Sequence, residues 1–375
     1  MTVQETIVPI TSTRHPLLTP GTGRAAKALT AALAGTLLVV TGCGQAPDSD
    51  DAGETSDFTG CIVADASGFN DASFNEAAMN GMRQVEEDRG IQVRSAEAAE
   101  AQDANPALTS MADSGCDLTV AMSYTMVDPL REVAAANPES HFMIVDDDSI
   151  QADNVKPVVY NTAEAAFLAG YLAAGTSETG TVGTLGGMQQ PAVTVFMDGF
   201  ALGVAHWNET QGADVQVVGW NESTQQGTFV NSYTDTNAAK TMTRNLMDQG
   251  ADVVMPVAGQ AGNGALDAVL ESENAKIVWV DQDGFESLDR GKDRVLTSVM
   301  KGITTSTVDV LDQSVDGEFS PETYVGTLEN GGVSIADFHD GAAPVDPQLQ
   351  EQVGQLRQQI IDGELSVDSR SAPSS

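Results

Sequence analysis

The chain predicts an α/β protein with two doubly wound parallel-sheet lobes and a ligand cleft between them. Three observations lead there. Beyond residue 57, short apolar runs alternate with amphipathic helical patterns across short connections, as successive strands and helices of a parallel sheet do. The rhythm breaks at 155–161 (VKPVVYN), which reads as an extended crossing, and then resumes as a second series. Finally, roughly 330 residues of such sequence are too many for one compact core and suit two lobes.

The first series opens with CIVAD at 61–65, an apolar run ending on Asp65 that reads as a short buried strand. A turn-rich stretch follows. Ser73-Phe74-Asn75-Glu76 then fits a capping box, with Ser73 as N-cap, Glu76 three residues on, and Ala78, Met82 and Val85 at helical spacing. IQVRS reads as the next strand. Asn105-Pro106 reads as an N-cap with proline at the first helical position, opening a helix to Ser114. The strand from Cys116, a helix over 128–136 and the strand HFMIVD complete the series. The second series begins with the apolar helix 163–174 (AEAAFLAGYLAA). TVGTL, a long helix around Phe200, VQVVGW, a helix ending at Gly250, DVVMP, a helix at 265–270 and KIVWVD follow. The tail from Asp362 is polar and expected to fray.

Residues 1–42 read as a signal peptide rather than part of the fold. Arg14, His15, Arg24 and Lys27 make a basic approach to an apolar segment, 28–40, too short to span a membrane comfortably. The small residues before Cys43 resemble a lipobox, which makes Cys43 the expected lipidation site. Residues 43–57 then form an acidic tether with nothing to bury. Cleavage at Cys43 removes one acidic and three basic residues, moving the formal net charge from −37 to −39. So acidic a surface argues against nucleic acid and polyphosphate partners, and against binding anionic lipid by charge. Anchoring would come from the lipid on Cys43, and a stable anchor needs more than one acyl chain.

Two cysteines remain, Cys61 and Cys116, each at the head of an apolar run. If their strands are neighbours, a disulfide is geometrically feasible and chemically allowed outside the cytoplasm; otherwise they are two buried thiols. The bridge would close a loop of roughly 55 residues, worth about 4 kcal/mol in the chain-entropy model. Neither a thiolate zinc site nor an iron–sulfur cluster is credible from this set. Asp146-Asp147-Asp148 is a carboxylate cluster of the kind hard cations use, but a single strand-end cluster in so acidic a chain is weak evidence, and no metal is expected. The four histidines are scattered, and neither a Gly-x-Ser-x-Gly elbow nor a phosphate-binding loop is present. The glycines of GTVGTLGG have the wrong spacing for a dinucleotide fingerprint. No catalysis and no cofactor are expected.

At the end of the first strand, Asp65, Asp71, Phe74 and Asn75 crowd a strand terminus, a glycine-bearing loop and a helix start, the usual ligand position in an open parallel sheet. The same groups would also serve a solvated loop with Phe74 packed inward. The wider pattern decides between these. The lipobox, GFNDASFNEAAMNGM, EAAFLAGYLAA, GTLGGMQQPAVTVFMDGFALGV, AGQAGNGA, VWVDQDG and LTSVMKG, in this order, resemble the basic membrane protein family. These are nucleoside-binding lipoproteins of ABC importers with a type I periplasmic-binding fold.

The resemblance implies a purine nucleoside as ligand, a membrane permease as partner and no covalent chemistry. It assigns Phe74 to stacking, and Asn75 with Asp65 or Asp71 to hydrogen bonding. Phe196 resembles the opposing aromatic from the other lobe. Asp283 matches an acidic residue holding the ribose hydroxyls, Lys301 a lysine at the sugar end, and Asp128 an acidic residue that helps read the base. In WVDQDG, Trp279 stands where the family usually has glycine and Gly284 where it has glutamine.

The expected lobes are 58–160 with a return segment near 284–315, and 161–283 completed by 316–361, leaving 362–375 as tail. Closure is expected about hinges near 160–161 and 281–284. A sugar or other ring solute, a ligand sensor and a nucleoside hydrolase are the alternatives.

Overall fold

A computed structural model describes residues 56–373. The expected signal peptide, Cys43 and nearly all of the tether lie outside the described residues. Five parallel strands and three helices form the first series: β1 (Thr59–Ala64), α1 (Phe74–Arg89), β2 (Gln92–Glu97), α2 (Ala104–Asp113), β3 (Leu118–Met122), α3 (Val127–Ala136), β4 (His141–Val145) and β5 (Val155–Tyr160). The second holds α4 (Thr162–Thr176), β6 (Thr181–Gly186), α5 (Pro191–Gln211), β7 (Gln216–Val218), the small hairpin β8 (Trp220–Asn221) and β9 (Gln226–Gly227), and α6 (Thr236–Asp248). It continues through β10 (Val253–Val257), α7 (Gly262–Leu270), β11 (Lys276–Asp281), α8 (Gly284–Ser287) and β12 (Val295–Lys301). The chain ends with α9 (Ile303–Val315), β13 (Tyr324–Gly326), β14 (Val333–Ile335) and α10 (Pro347–Ile361).

One sheet runs β13-β5-β4-β3-β1-β2 and the other β14-β12-β11-β10-β6-β7. The first is wholly parallel, and in the second only β14 runs antiparallel. The two orders correspond strand for strand, so β4 and β11 are equivalent, as are β5 and β12. β1, β3, β5 and β10 are buried along their whole length, which is why each reads as a short apolar run rather than an alternating one.

The chain passes between the sheets three times: β5 to α4, β12 to α9, and β13 to β14. This corrects the expected return at 284–315. α8 and β12 stay with the second sheet, and the returning piece is α9, packed on α1, together with β13. The crossing therefore lies at 301–303 rather than 281–284, while the one at 160–161 stands where expected. Backbone hydrogen bonds tie the crossings together: Asn161 N donates to Gly326 O (2.8 Å) and Gly302 N to Gly332 O (2.8 Å). Glu164 joins in, accepting from Asn161 Nδ2 (2.8 Å) and Leu328 N (2.7 Å).

α4 is buried nearly all round and packs on α5. The approach is close enough to require glycine: a Cβ on Gly199 would stand 2.3 Å from Ala163 O, and one on Gly203 2.0 Å from Phe167 O. In the first lobe, Cys61 and Cys116 are joined by a disulfide with a Cα separation of 5.9 Å. Residues 362–373, expected to fray, are anchored instead. Leu365 and Val367 pack on the main core, and Ser369 Oγ donates to buried Asp198 (2.7 Å) while Ser371 and Thr194 share a hydroxyl bond (2.6 Å). Its polar composition hid two apolar anchors and a serine hydroxyl that joins Trp220 Nε1 and Gln225 Nε2 on the Asp198 carboxylate. Helix α2 also starts earlier than Asn105, because Glu100 and Asp103 form the capping box ahead of it.

Candidate functional site

The cleft between the sheets holds about 520 Å³ of space, part of it open to solvent. Its walls come from both lobes. The first contributes Asp65, Ser67, Asp71, Phe74, Asn75, Ser123, Tyr124 and Asp146; the second contributes Phe196, Tyr233, Gly259, Asp281 and Lys301 among others. Strand ends and helix starts deliver these groups, as the topology of a doubly wound sheet dictates.

The N-terminus of α1 is built differently from the expected capping box. Ser73 makes no side-chain cap. The cap is Asp71, fully buried, whose carboxylate accepts from the backbone N–H of Ser73 (3.0 Å), Asn75 (2.9 Å) and Glu76 (3.1 Å) and from Asn75 Nδ2 (3.1 Å). Burial pushes the Asp71 carboxyl up to about 6, against those hydrogen bonds. Glu76 takes the Ala72 N–H instead (3.1 Å), and the Ser73 hydroxyl is free to donate across the cleft to Asp281 Oδ2 (2.5 Å). Asn75 Nδ2 also donates to Asp65 Oδ1 (2.9 Å). Asp71 and Asn75 thus brace the loop, and Asp65 lines the cavity beside them. Phe74, half-buried, stands at the first position of the helix beside them.

Lys301 is the electrostatic centre. Its side chain, 3% exposed, ends 2.6 Å from Asp146 Oδ2 and 4.0 Å from Asp281 Oδ1. Asp146 follows β4 and Asp281 ends β11, so the two carboxylates are pseudo-equivalent, one from each lobe. Both take left-handed backbone angles (φ +69°), a conformation seldom adopted by side-chain-bearing residues and often found at functional sites. Burial raises both carboxyl pKa values, and the lysine opposes the rise. Three rings surround the ammonium, with Phe196, Phe74 and Tyr160 centroids at 5.1, 5.4 and 5.7 Å, within cation–π range. The result is two phenyl rings, one from each lobe, next to a paired charge cluster.

The structure therefore gathers Asp65, Asp71, Phe74, Asn75, Phe196 and Lys301 around one cavity. Two expected residues fall elsewhere. Asp128 sits exposed in the first turn of α3, where its charge suits the helix dipole; the polar wall there is made by Ser123 and Tyr124. Asp283 caps α8, accepting from Phe285 N (2.9 Å), and its other oxygen meets His339 Nε2 (2.5 Å). The acidic residue at the cavity is Asp281, two positions earlier. Asp146, Asp281, Tyr124 and Tyr233 were missed. The shared ending of HFMIVD and KIVWVD, a carboxylate closing each apolar run, was the signal that could have found the first two. Among the described residues no cluster of His, Cys, Asp and Glu could hold a metal ion, and Asp146 pairs with the lysine instead. No helix among them is long and apolar enough to cross a membrane.

Comparison with known proteins agrees with this architecture. Residues 58–371 match the family model described as ABC transporter substrate-binding protein, PnrA-like. The chain is 30% identical to the ABC transporter nucleoside-binding protein BmpA of Lactococcus lactis subsp. cremoris over 363 residues, 92% of this chain and 98% of that protein. It is 28% identical to basic membrane protein A of Borreliella burgdorferi over 80% of this chain and 85% of that one. Among solved structures, an ABC transporter solute-binding protein from Aeropyrum pernix superposes with a TM-score of 0.73 at 23% identity, covering 82% and 92% of the two chains; that likeness speaks for the fold. The chain belongs to the Bmp, PnrA-like family of ABC transporter substrate-binding proteins, a family of binding proteins and not of enzymes.

Proposed function

We propose that this protein binds a nucleoside, a purine nucleoside by preference, between its lobes and delivers it to a membrane permease from the outer face of the membrane, held there by lipid on Cys43. The observation that carries the reading is the pair of phenyl rings from opposite lobes, Phe74 and Phe196, beside a charge cluster in one cavity. A purine offers two flat faces, and stacking on an aromatic side chain is worth about 1–3 kcal/mol per base. Asp65, Asp146 and Asp281 supply acceptors for N–H and vicinal hydroxyl donors, bonds strengthened by their charge. Four carboxylates and one lysine line the cavity, a balance that suits a neutral nucleoside and repels a phosphate. The name of the Lactococcus relative supports the same ligand class.

Calorimetric titration of the ligand-stripped protein with adenosine, guanosine, inosine, cytidine, uridine, ribose and AMP tests this. Tight binding of a purine nucleoside, with ribose and AMP far weaker, is expected. Ribose binding as tightly as any nucleoside would replace the reading with a sugar receptor.

A further inference from the structure

We propose that the loop entering α1 is the latch of the cleft: Ala72 and Ser73 are gripped by Trp279, Gln282 and Ser287 of the opposite lobe, and this grip sets how slowly a bound ligand leaves. The inference rests on the receptor reading only in requiring a ligand enclosed between the lobes.

Four hydrogen bonds cross at this point. Ala72 O accepts from Trp279 Nε1 (3.1 Å) and Ser287 Oγ (3.3 Å), and Ser73 O from Gln282 Nε2 (2.8 Å). The fourth is the Ser73 hydroxyl to Asp281. Packing reinforces them. The Ala72 side chain lies against the second lobe's own cluster of Leu266, Trp279 and Leu288, so the tip of one lobe is seated in the core of the other. Ala72 also holds a left-handed backbone (φ +52°), a conformation that a residue with a Cβ keeps only where its surroundings enforce it. Here Glu76 holds its N–H and the opposite lobe holds its carbonyl.

Trp279 is seated for this task. It is 1% exposed and does not line the cavity, and a Cβ on Gly284 would fall 2.6 Å from its Cβ and 2.7 Å from its Cγ. Glycine at 284 therefore leaves the room in which the tryptophan at 279 is seated. The gripped residues directly precede Phe74 and Asn75 of the cavity wall. Trp279 and Gln282 are thus positioning residues. The bonds exist only when the lobes meet, so they oppose release without affecting encounter.

The test preloads wild type, Trp279→Phe and Gln282→Ala with tritiated guanosine or adenosine and follows dissociation into excess unlabelled nucleoside. Phenylalanine keeps an apolar ring and removes the N–H, and Gln282 is only half-buried, so neither change demands refolding of the core. Each variant should release ligand about three- to tenfold faster, the loss of one hydrogen bond, with an unchanged association rate; Gln282→Ala should keep a wild-type melting profile, and Trp279→Phe, which vacates buried volume, a lower but still single transition. Wild-type release rates in both folded variants would overturn the latch. If the wild type binds neither nucleoside, the ligand reading fails and the latch is read by small-angle scattering: a larger radius of gyration in the variants supports it, and an identical one in all three overturns it.

Discussion

Replacing Lys301 with methionine removes the one cation that the cleft's two pseudo-equivalent carboxylates share. The ammonium lies 2.6 Å from Asp146 and 4.0 Å from Asp281, with side chains 3%, 11% and 10% exposed. At an effective dielectric near 20, one pair at about 4 Å is worth roughly 4 kcal/mol, and deleting one member of a buried pair costs about 3–5 kcal/mol. Methionine keeps most of the aliphatic stem, so little of the loss comes from packing. Urea denaturation of the ligand-stripped protein at pH 7.5 should show that loss, a large part of the roughly 5–15 kcal/mol typical of a domain. The pH dependence has a definite sign. Without the lysine, the folded-state pKa values of Asp146 and Asp281, already raised above 3.8, rise further. Groups with a raised folded pKa bind protons more readily when folded, so their cost fades as pH falls, and the gap to wild type should narrow toward pH 5. Adding Asp146→Asn to the variant should recover part of the loss. A loss below about 1 kcal/mol, or a gap that stays constant from pH 7.5 to 5, would refute the shared-cation account.

Two further outcomes follow from the packing. Phe74 is half-buried and Phe196 only 1% exposed, so Phe74→Ala should weaken nucleoside binding by about 1–3 kcal/mol with little effect on folding, whereas Phe196→Ala should also lower stability by about 3–5 kcal/mol; calorimetry and urea melts separate the two. Replacing Cys61 and Cys116 together with serine opens a loop spanning a sequence separation of 55 and should cost about 4 kcal/mol, a loss that reductant should reproduce in the wild type and leave unchanged in the variant.

Much of this protein is legible because strands and helices write themselves locally. Apolar runs at 61–64, 118–122 and 253–257 announce strands buried on both faces, and the break after residue 160 announces the first passage between lobes. The wall around Phe74 was readable for the same reason: a strand end, a loop and a helix start are neighbours along the chain. Elements that depend on distant partners were read less well. Nothing near 284 says that α8 and β12 remain with the second sheet, since either sheet would accept another apolar strand. The tail looked unanchored because its donors satisfy a carboxylate more than 170 residues away.

The sequence by itself therefore determined the two-lobed α/β class, the order of its elements and the aromatic and amide groups at the head of α1. Only the tertiary structure decided which acidic residue serves the cavity. Asp281 and Asp283 stand two positions apart in one short stretch, yet one turns into the cleft beside Lys301 and the other caps a helix against His339. Local pattern cannot separate them, because a carboxylate's role is set by the charges, donors and solvent brought to it by parts of the chain far away. The same holds for Ser73, a cap by spacing and a bond across the cleft in fact.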